Sequence, residues 1–272
     1  MKVAADKVLR RSSRGKPVRA LYRYLAAHGH LVGGPEGISP DVRSDLRHLM
    51  PEAPDYFGKD LEDSLAGFQA AFGLKQTGEL DEPTKKLIQT PRCGVPDRLR
   101  PETLAFGEAG GGAEFVARCG WDQRVLRYFV AAPHPSLPPG EHERIFTANL
   151  AKWQAVANIQ FQPGDASAEI QSRLFDFQDG CGGTLAYSYF PCDGSPAGHC
   201  YFDLGECFSA EPVTPAGQMD FESVCLHELG HALGLDHDPN NPQAVMYPFF
   251  EFGEQRRTLQ AGDIAGVRSL YP

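Results

Sequence analysis

The chain has 272 residues, of which 42% are hydrophobic and 22% charged, and a formal net charge of -9. That length accommodates one large domain or two modest ones, and that composition excludes wholesale disorder and fibrous repeats. The net negative charge removes the electrostatic case for nucleic acid or an anionic membrane as partner, and no stretch is apolar for long enough to span a bilayer.

Residues 1–19 read as a basic, flexible arm, because Lys2, Lys7, Arg10, Arg11, Arg14, Lys16 and Arg19 are opposed only by Asp6. The arm lacks the apolar run and small-residue cleavage site of a secretory signal. Three alternatives stay open: a leader removed before this numbering begins, another export route, or an intracellular location. From Val18 to Gln89 the pattern is helical. A first run, Ala20 to Leu25, ends at the glycines near His28 and His30, and a second spaces Leu61, Leu65, Phe68 and Phe72 by three or four residues. Asp81-Glu82-Pro83-Thr84 starts a third helix with an acidic cap and a first-turn proline. These predict a small all-helical domain over residues 20–97.

Residues 98–118, with Gly107, Gly110, Gly111 and Gly112, read as an exposed linker of the kind proteases cut. Beyond it, residues 119–272 mix both element types. Strands are expected at 121–131, 168–174 and 184–190, and helices at 142–157, 221–235 and 258–270. The succession predicts an α/β domain with a mixed sheet. Seven cysteines leave an odd one if the rest pair, and Cys181, Cys192, Cys200 and Cys207 crowd a loop-rich segment. They read as a local disulfide framework in an oxidising compartment. Cys119 and Cys225 could pair with each other, or Cys225 could be buried on its helix's core face.

His227-Glu228-Leu229-Gly230-His231 lies in an apolar helical segment. On a helix, positions i and i+4 share a face, so both imidazoles can bind one zinc with the carboxylate beside it as general base. Gly234 permits a sharp turn and His237 supplies a third nitrogen, completing H-E-x-x-H-x-x-G-x-x-H. Three ligands with an open fourth position describe a catalytic zinc, not a closed structural one. Ala244-Val245-Met246-Tyr247-Pro248 matches the methionine turn that follows this motif, with Met246 packed beneath the metal.

With Pro91-Arg92-Cys93-Gly94-Val95-Pro96-Asp97, which matches a cysteine-switch motif at every position, the chain resembles the matrix metalloproteinases (matrixins, of the metzincin clan). Phe68-Gln69-Ala70-Ala71-Phe72-Gly73-Leu74 and Thr77-Gly78-Glu79-Leu80-Asp81 resemble the matrixin propeptide, which itself resembles a peptidoglycan-binding module. No hemopexin-like domain is expected after Tyr271-Pro272, so the architecture resembles the minimal matrilysin type. The resemblance implies a twisted mixed sheet with an active-site helix, and a secreted monomer that cleaves internal peptide bonds of proteins, extracellular matrix among them. It implies a latent form, with Cys93 on the zinc until an activating protease cuts, and Arg92 and Asp97 are spaced to pair across the turn between them.

The resemblance further implies substrate contacts at Leu185, Ala186, Tyr247 and Pro248, and calcium at Asp179, Asp203 and Glu206, whose carboxylates suit a hard cation. Where the family holds a second, structural zinc, this chain has Ser172, Leu174, Tyr187 and Tyr201. One zinc is therefore expected, with disulfides as the staple of that loop; a cysteine-bound zinc using His199 is the alternative. The rival from another class is a non-catalytic protein whose N-terminal module binds a cell wall.

Overall fold

The computed structural model describes residues 8–31, 54–97 and 117–272, and they divide into two compact units. The first takes the described residues up to 90, with 94–97 and 177–179. The second takes 91–93, 117–176 and 180–272. The 98–118 linker falls almost wholly outside the described residues.

The first unit is built on three helices, α1 (Lys16–Ala27), α2 (Lys59–Ala71) and α3 (Glu82–Gln89). Pro17 sits in the first turn of α1, where its missing N–H costs nothing. Val18, Leu21 and Leu25 of α1 and Leu61, Leu65 and Phe68 of α2 are buried, as their three-or-four spacing requires. The Asp81 carboxylate caps α3 by accepting from the Thr84 N–H at 3.1 Å. Buried Gln69 ties the intervening turn together, donating to Thr84 Oγ1 at 2.8 Å and accepting from the Gly78 N–H at 2.9 Å.

Residues 8–19, expected in a flexible arm, are tied into the first unit where the structure describes them. Leu9 bridges to Leu80, the Phe57 N–H donates to Ser13 O while Phe57 O accepts from the Ser12 N–H, and α1 starts at Lys16 instead of residue 20. Two apolar residues, Leu9 and Val18, anchor a stretch whose charge dominates its composition.

The second unit is α/β. Its five-stranded sheet has the order β2-β1-β3-β5-β4, from β1 (Val125–Val130), β2 (Gln160–Pro163), β3 (Ile170–Phe175), β4 (Ala186–Ser188) and β5 (His199–Asp203). All pairings are parallel except β4 with β5, which makes β4 an antiparallel edge. A short parallel pair, β6 (Phe208–Ser209) and β7 (Met219–Asp220), leads into the active-site helix. Helices α4 (Glu141–Gln154), α5 (Phe221–Ala232) and α6 (Ala261–Leu270) complete the unit. Trp153 of α4 is fully buried and donates its indole N–H to Leu226 O of α5 at 3.1 Å. That bond fixes the depth at which α5 lies in the core.

The cysteines pair differently from the local framework. Cys119 is bonded to Cys192, and Cys93, Cys181, Cys200, Cys207 and Cys225 are thiols. Cys225 lies on the core face of α5 with no exposure, which keeps it from Cys119, and burial pushes its pKa up to about 12.

A buried polar chain links α4, β3 and the end of β5. His142 Nε2 meets Ser172 Oγ at 2.7 Å, the His134 N–H donates to His142 Nδ1 at 2.9 Å, and His134 Nε2 meets Asp203 O at 2.8 Å. Burial first, then neighbouring His134, push His142 down to about 4 from its ordinary 6.5. The folded state thus keeps His142 neutral where the unfolded chain would take up a proton. This contribution is constant above pH 6.5, and stability falls as pH drops from 6.5 to about 4, by about 3 kcal/mol in all. Urea unfolding from pH 7 to 4 should show a flatter pH dependence in His142→Asn than in wild type; equal slopes would remove His142 from the acid response.

Candidate active site and metal centre

Helix α5 is started by Asp220, whose carboxylate accepts from the Ser223 N–H at 3.0 Å while Arg257 pairs with it from outside. From Phe221 to Ala232 all but Glu222 are buried, so the helix carries its polar side chains inside the protein. His227 and His231, one turn apart, have ring centroids 4.7 Å apart. The chain then reverses at Gly234, with φ +103; a Cβ there would lie 1.7 Å from Cys119 O, so only glycine fits. The turn delivers His237, whose Nε2 is 3.1 Å from that of His231, and His227 Nε2 is 3.0 Å from it.

The other ring nitrogens face backbone carbonyls: His227 Nδ1 meets Val245 O and His231 Nδ1 meets Leu235 O, each at 2.7 Å. A carbonyl can only accept, so Nδ1 carries the hydrogen and Nε2 presents its lone pair. Burial first, then His231 and His237, hold His227 well below the ordinary histidine range. Neutral imidazoles with converging lone pairs are what a metal requires.

Cys93 is fully buried and its Sγ is 3.5 Å from His231 Nε2; the four ligand atoms of Cys93, His227, His231 and His237 lie within 4.8 Å of one another. A tetrahedral zinc with bonds of about 2.0–2.1 Å to nitrogen and about 2.3 Å to sulfur separates nitrogens by about 3.3 Å and nitrogen from sulfur by about 3.5 Å. The spacing and donor set fit zinc.

Residues 91–93 run extended through this unit. The Arg92 N–H donates to Gly183 O at 3.2 Å and the Leu185 N–H to Arg92 O at 2.9 Å. On the other side the Cys93 N–H donates to Pro248 O and the Phe250 N–H to Pro91 O, each at 2.9 Å. An added strand therefore lies between the sheet-edge residues and the 247–250 wall. Leu185, Ala186 and Pro248 are buried and Tyr247 half-buried; Ala186 pairs with Phe202.

The wall and the methionine turn are held from below. Asp263, kept above its ordinary pKa chiefly by burial, accepts from the Val245 N–H at 3.0 Å and the Met246 N–H at 3.2 Å, so it positions the carbonyl that orients His227. Arg256 donates to Ala244 O at 2.9 Å, Tyr247 O at 3.0 Å and Phe249 O, and its guanidinium lies 4.0 Å from the Phe250 ring centre. Neither Asp263 nor Arg256 stood out in the sequence; the available signal for Asp263 was an acidic residue in the first turn of the last helix, and nothing local marked Arg256. Met246 packs on α5 at Gly230, where a Cβ would fall 2.3 Å from its Sδ. Gly230→Ala is therefore expected to cost about 1–3 kcal/mol by overpacking. It should also weaken zinc retention, since Gly230 precedes His231; competition with a chromophoric chelator reads this, and unchanged affinity would contradict it.

Asp203 and Glu206 are buried, and Glu206 Oε1 accepts from the Gly182 and Gly183 N–H groups at 2.8 and 3.1 Å. Asp179 groups with the first unit. The positions expected to lack a second zinc carry other contacts. Tyr187 faces Tyr201 across β4 and β5, Tyr189 packs on both rings, Leu174 pairs with Phe202, and Ser172 bonds His142.

Three convergent imidazoles on a helix and its following turn, with buried Glu228 between the first two, define the metal centre of a zinc peptidase. Comparison with known proteins agrees: residues 120–272 match the family model described as Matrixin, and residues 14–88 match that of a putative peptidoglycan binding domain. The chain is 33% identical over 260 residues to Metalloendoproteinase 1 of Glycine max, covering 87% of this chain and 82% of that one. It is 34% identical over 222 residues to Macrophage metalloelastase of Rattus norvegicus, covering 78% and 44%, and 29% identical over 255 residues to Metalloendoproteinase 4-MMP of Arabidopsis thaliana, covering 87% and 73%. The chain belongs to the matrixin family and is a zinc metalloendopeptidase.

Proposed function

We propose that this endopeptidase is made as a latent zymogen, with Cys93 as the fourth ligand of a zinc held by His227, His231 and His237. The observation that carries the proposal is the extended course of residues 91–93, which brings Cys93 Sγ to 3.5 Å from His231 Nε2. Zinc, when bound, supplies Lewis-acid activation of a peptide carbonyl and of water. A substrate strand takes the place of residues 91–93, hydrogen-bonding the Gly183–Leu185 edge on one side and Pro248 on the other. Glu228 accepts the proton of the attacking water and returns it to the leaving nitrogen. The wall at Tyr247 and Pro248 receives the side chain beyond the cut.

Zinc quantification with a casein digest, before and after cleavage between residues 98 and 118, tests this. One zinc per chain with activity only after cleavage is expected; full activity of the uncut chain would overturn latency. We further propose, from the family membership, a secreted monomer opened by an activating protease. Among the described residues no helix is long and apolar enough to cross a membrane. Calcium is proposed at Asp203 and Glu206, on the strength of two buried carboxylates beside glycine-rich backbone. A second reading, wall binding, is favoured by the peptidoglycan-binding match at residues 14–88, and co-sedimentation of the whole chain with peptidoglycan tests it.

A further inference from the structure

Ser188 is the last residue of β4, opposite Cys200 in the antiparallel register. Strand alternation puts Ala186 and Ser188 on one face and Tyr187 on the other, where Tyr187 joins the tyrosine rings. On its own face the Ser188 hydroxyl donates to Glu228 Oε2 at 2.7 Å, and both side chains are completely buried. That is a full-strength O–H···O hydrogen-bond length. Cys200, the cross-strand partner, lies against the same turn of α5, with its Sγ 3.7 Å from Glu228 O. The edge strand and the active-site helix therefore meet at Glu228 through side chain and backbone together.

Resting on the proposed role of Glu228 as the proton carrier, we infer that Ser188 is a positioning residue for that carboxylate. His227 and His231 are oriented by backbone carbonyls, whereas Glu228 is oriented by this side-chain hydroxyl from the strand that borders the substrate. With Oε2 fixed, the carboxylate cannot rotate about its last bond without breaking a buried hydrogen bond. Its plane is thereby set before substrate arrives, which is the preorganisation that proton transfer needs. An alanine would fill the same small space beside Ala186, so packing alone does not call for the hydroxyl.

The test compares Ser188→Ala, Ser188→Thr and Glu228→Ala in the cleaved enzyme on one fluorogenic peptide, with zinc content and thermal midpoint measured for each. Removing an orienting partner of this kind costs about 10–100-fold. Ser188→Ala should lose that in kcat with KM within about twofold, because the substrate's ground-state contacts lie on the backbone edge and wall. Ser188→Thr, which keeps the hydroxyl, should recover most of it, and zinc should stay at one per chain in all three. Calorimetric binding of acetohydroxamate, whose acidic proton a neighbouring carboxylate accepts, should weaken in Ser188→Ala and not in Ser188→Thr. Wild-type kcat in Ser188→Ala beside an inactive Glu228→Ala would overturn the inference while leaving Glu228 in place. Equal losses in the alanine and threonine variants would reduce Ser188 to packing. Wild-type activity in Glu228→Ala would instead overturn the role of Glu228 on which the inference stands.

Discussion

Replacing Glu228 by alanine is expected to lower kcat of the cleaved enzyme by about 10³-fold, within the 10²–10⁴ that a positioned acid–base group supplies. The zinc should remain, because its three imidazoles are oriented by Val245 O, Leu235 O and the Gly234 turn, none of which involves the Glu228 side chain. The fold should remain as well. Glu228 is completely buried, so alanine removes a polar group that is costly to bury, and the Ser188 hydroxyl is among the groups that lose a contact. Metal analysis and steady-state kinetics on the same preparation decide the matter. Loss of zinc together with activity would make Glu228 structural, and retained activity would remove it from the mechanism.

Cys93→Ser is expected to open the uncut chain. A serine hydroxyl is a poor zinc ligand beside a thiolate, while the backbone bonds of residues 91–93 to Gly183, Leu185, Pro248 and Phe250 are untouched. Peptidase activity of intact Cys93→Ser should exceed that of intact wild type on the order of 100-fold, which corresponds to about 2.7 kcal/mol for the metal–sulfur contact. It should fall short of the cleaved enzyme, because the extended segment still lies along the substrate edge. Intact mass must accompany the assay to exclude cutting between residues 98 and 118. Thiol-binding mercurials should open wild type and leave Cys93→Ser unchanged. Equal activity of the two uncut proteins would sink the switch.

The site was legible where its chemistry is local. Helical spacing alone put His227 and His231 on one face, and the glycine at 234 announced the turn that brings His237; both follow from backbone geometry over eleven residues. The Cys93 motif was legible as a pattern, and its depth of burial was not. What the sequence hid depends on partners far along the chain. The strand His199–Asp203 reads as loop because glycine, proline and cysteine surround it, and it is a strand through its pairing with Ile170–Phe175. Cys119 and Cys192 stand 73 residues apart with nothing local to join them. Asp263, Arg256 and Ser188 are ordinary residues in sequence. Each acquires its role from a backbone or carboxylate that only the fold brings near.

X-ray absorption at the zinc edge decides whether Cys93 binds the metal, because it counts sulfur and nitrogen neighbours of the zinc in the uncut protein. One sulfur at about 2.3 Å with three nitrogens at about 2.0–2.1 Å is the predicted shell. After cleavage between residues 98 and 118 and removal of everything before the cut, Cys93 included, the sulfur should vanish, and in uncut Cys93→Ser it should be absent from the start. A shell of nitrogen and oxygen alone in the uncut wild type would rule out Cys93 as the fourth ligand, and the proposed latency would fall with it.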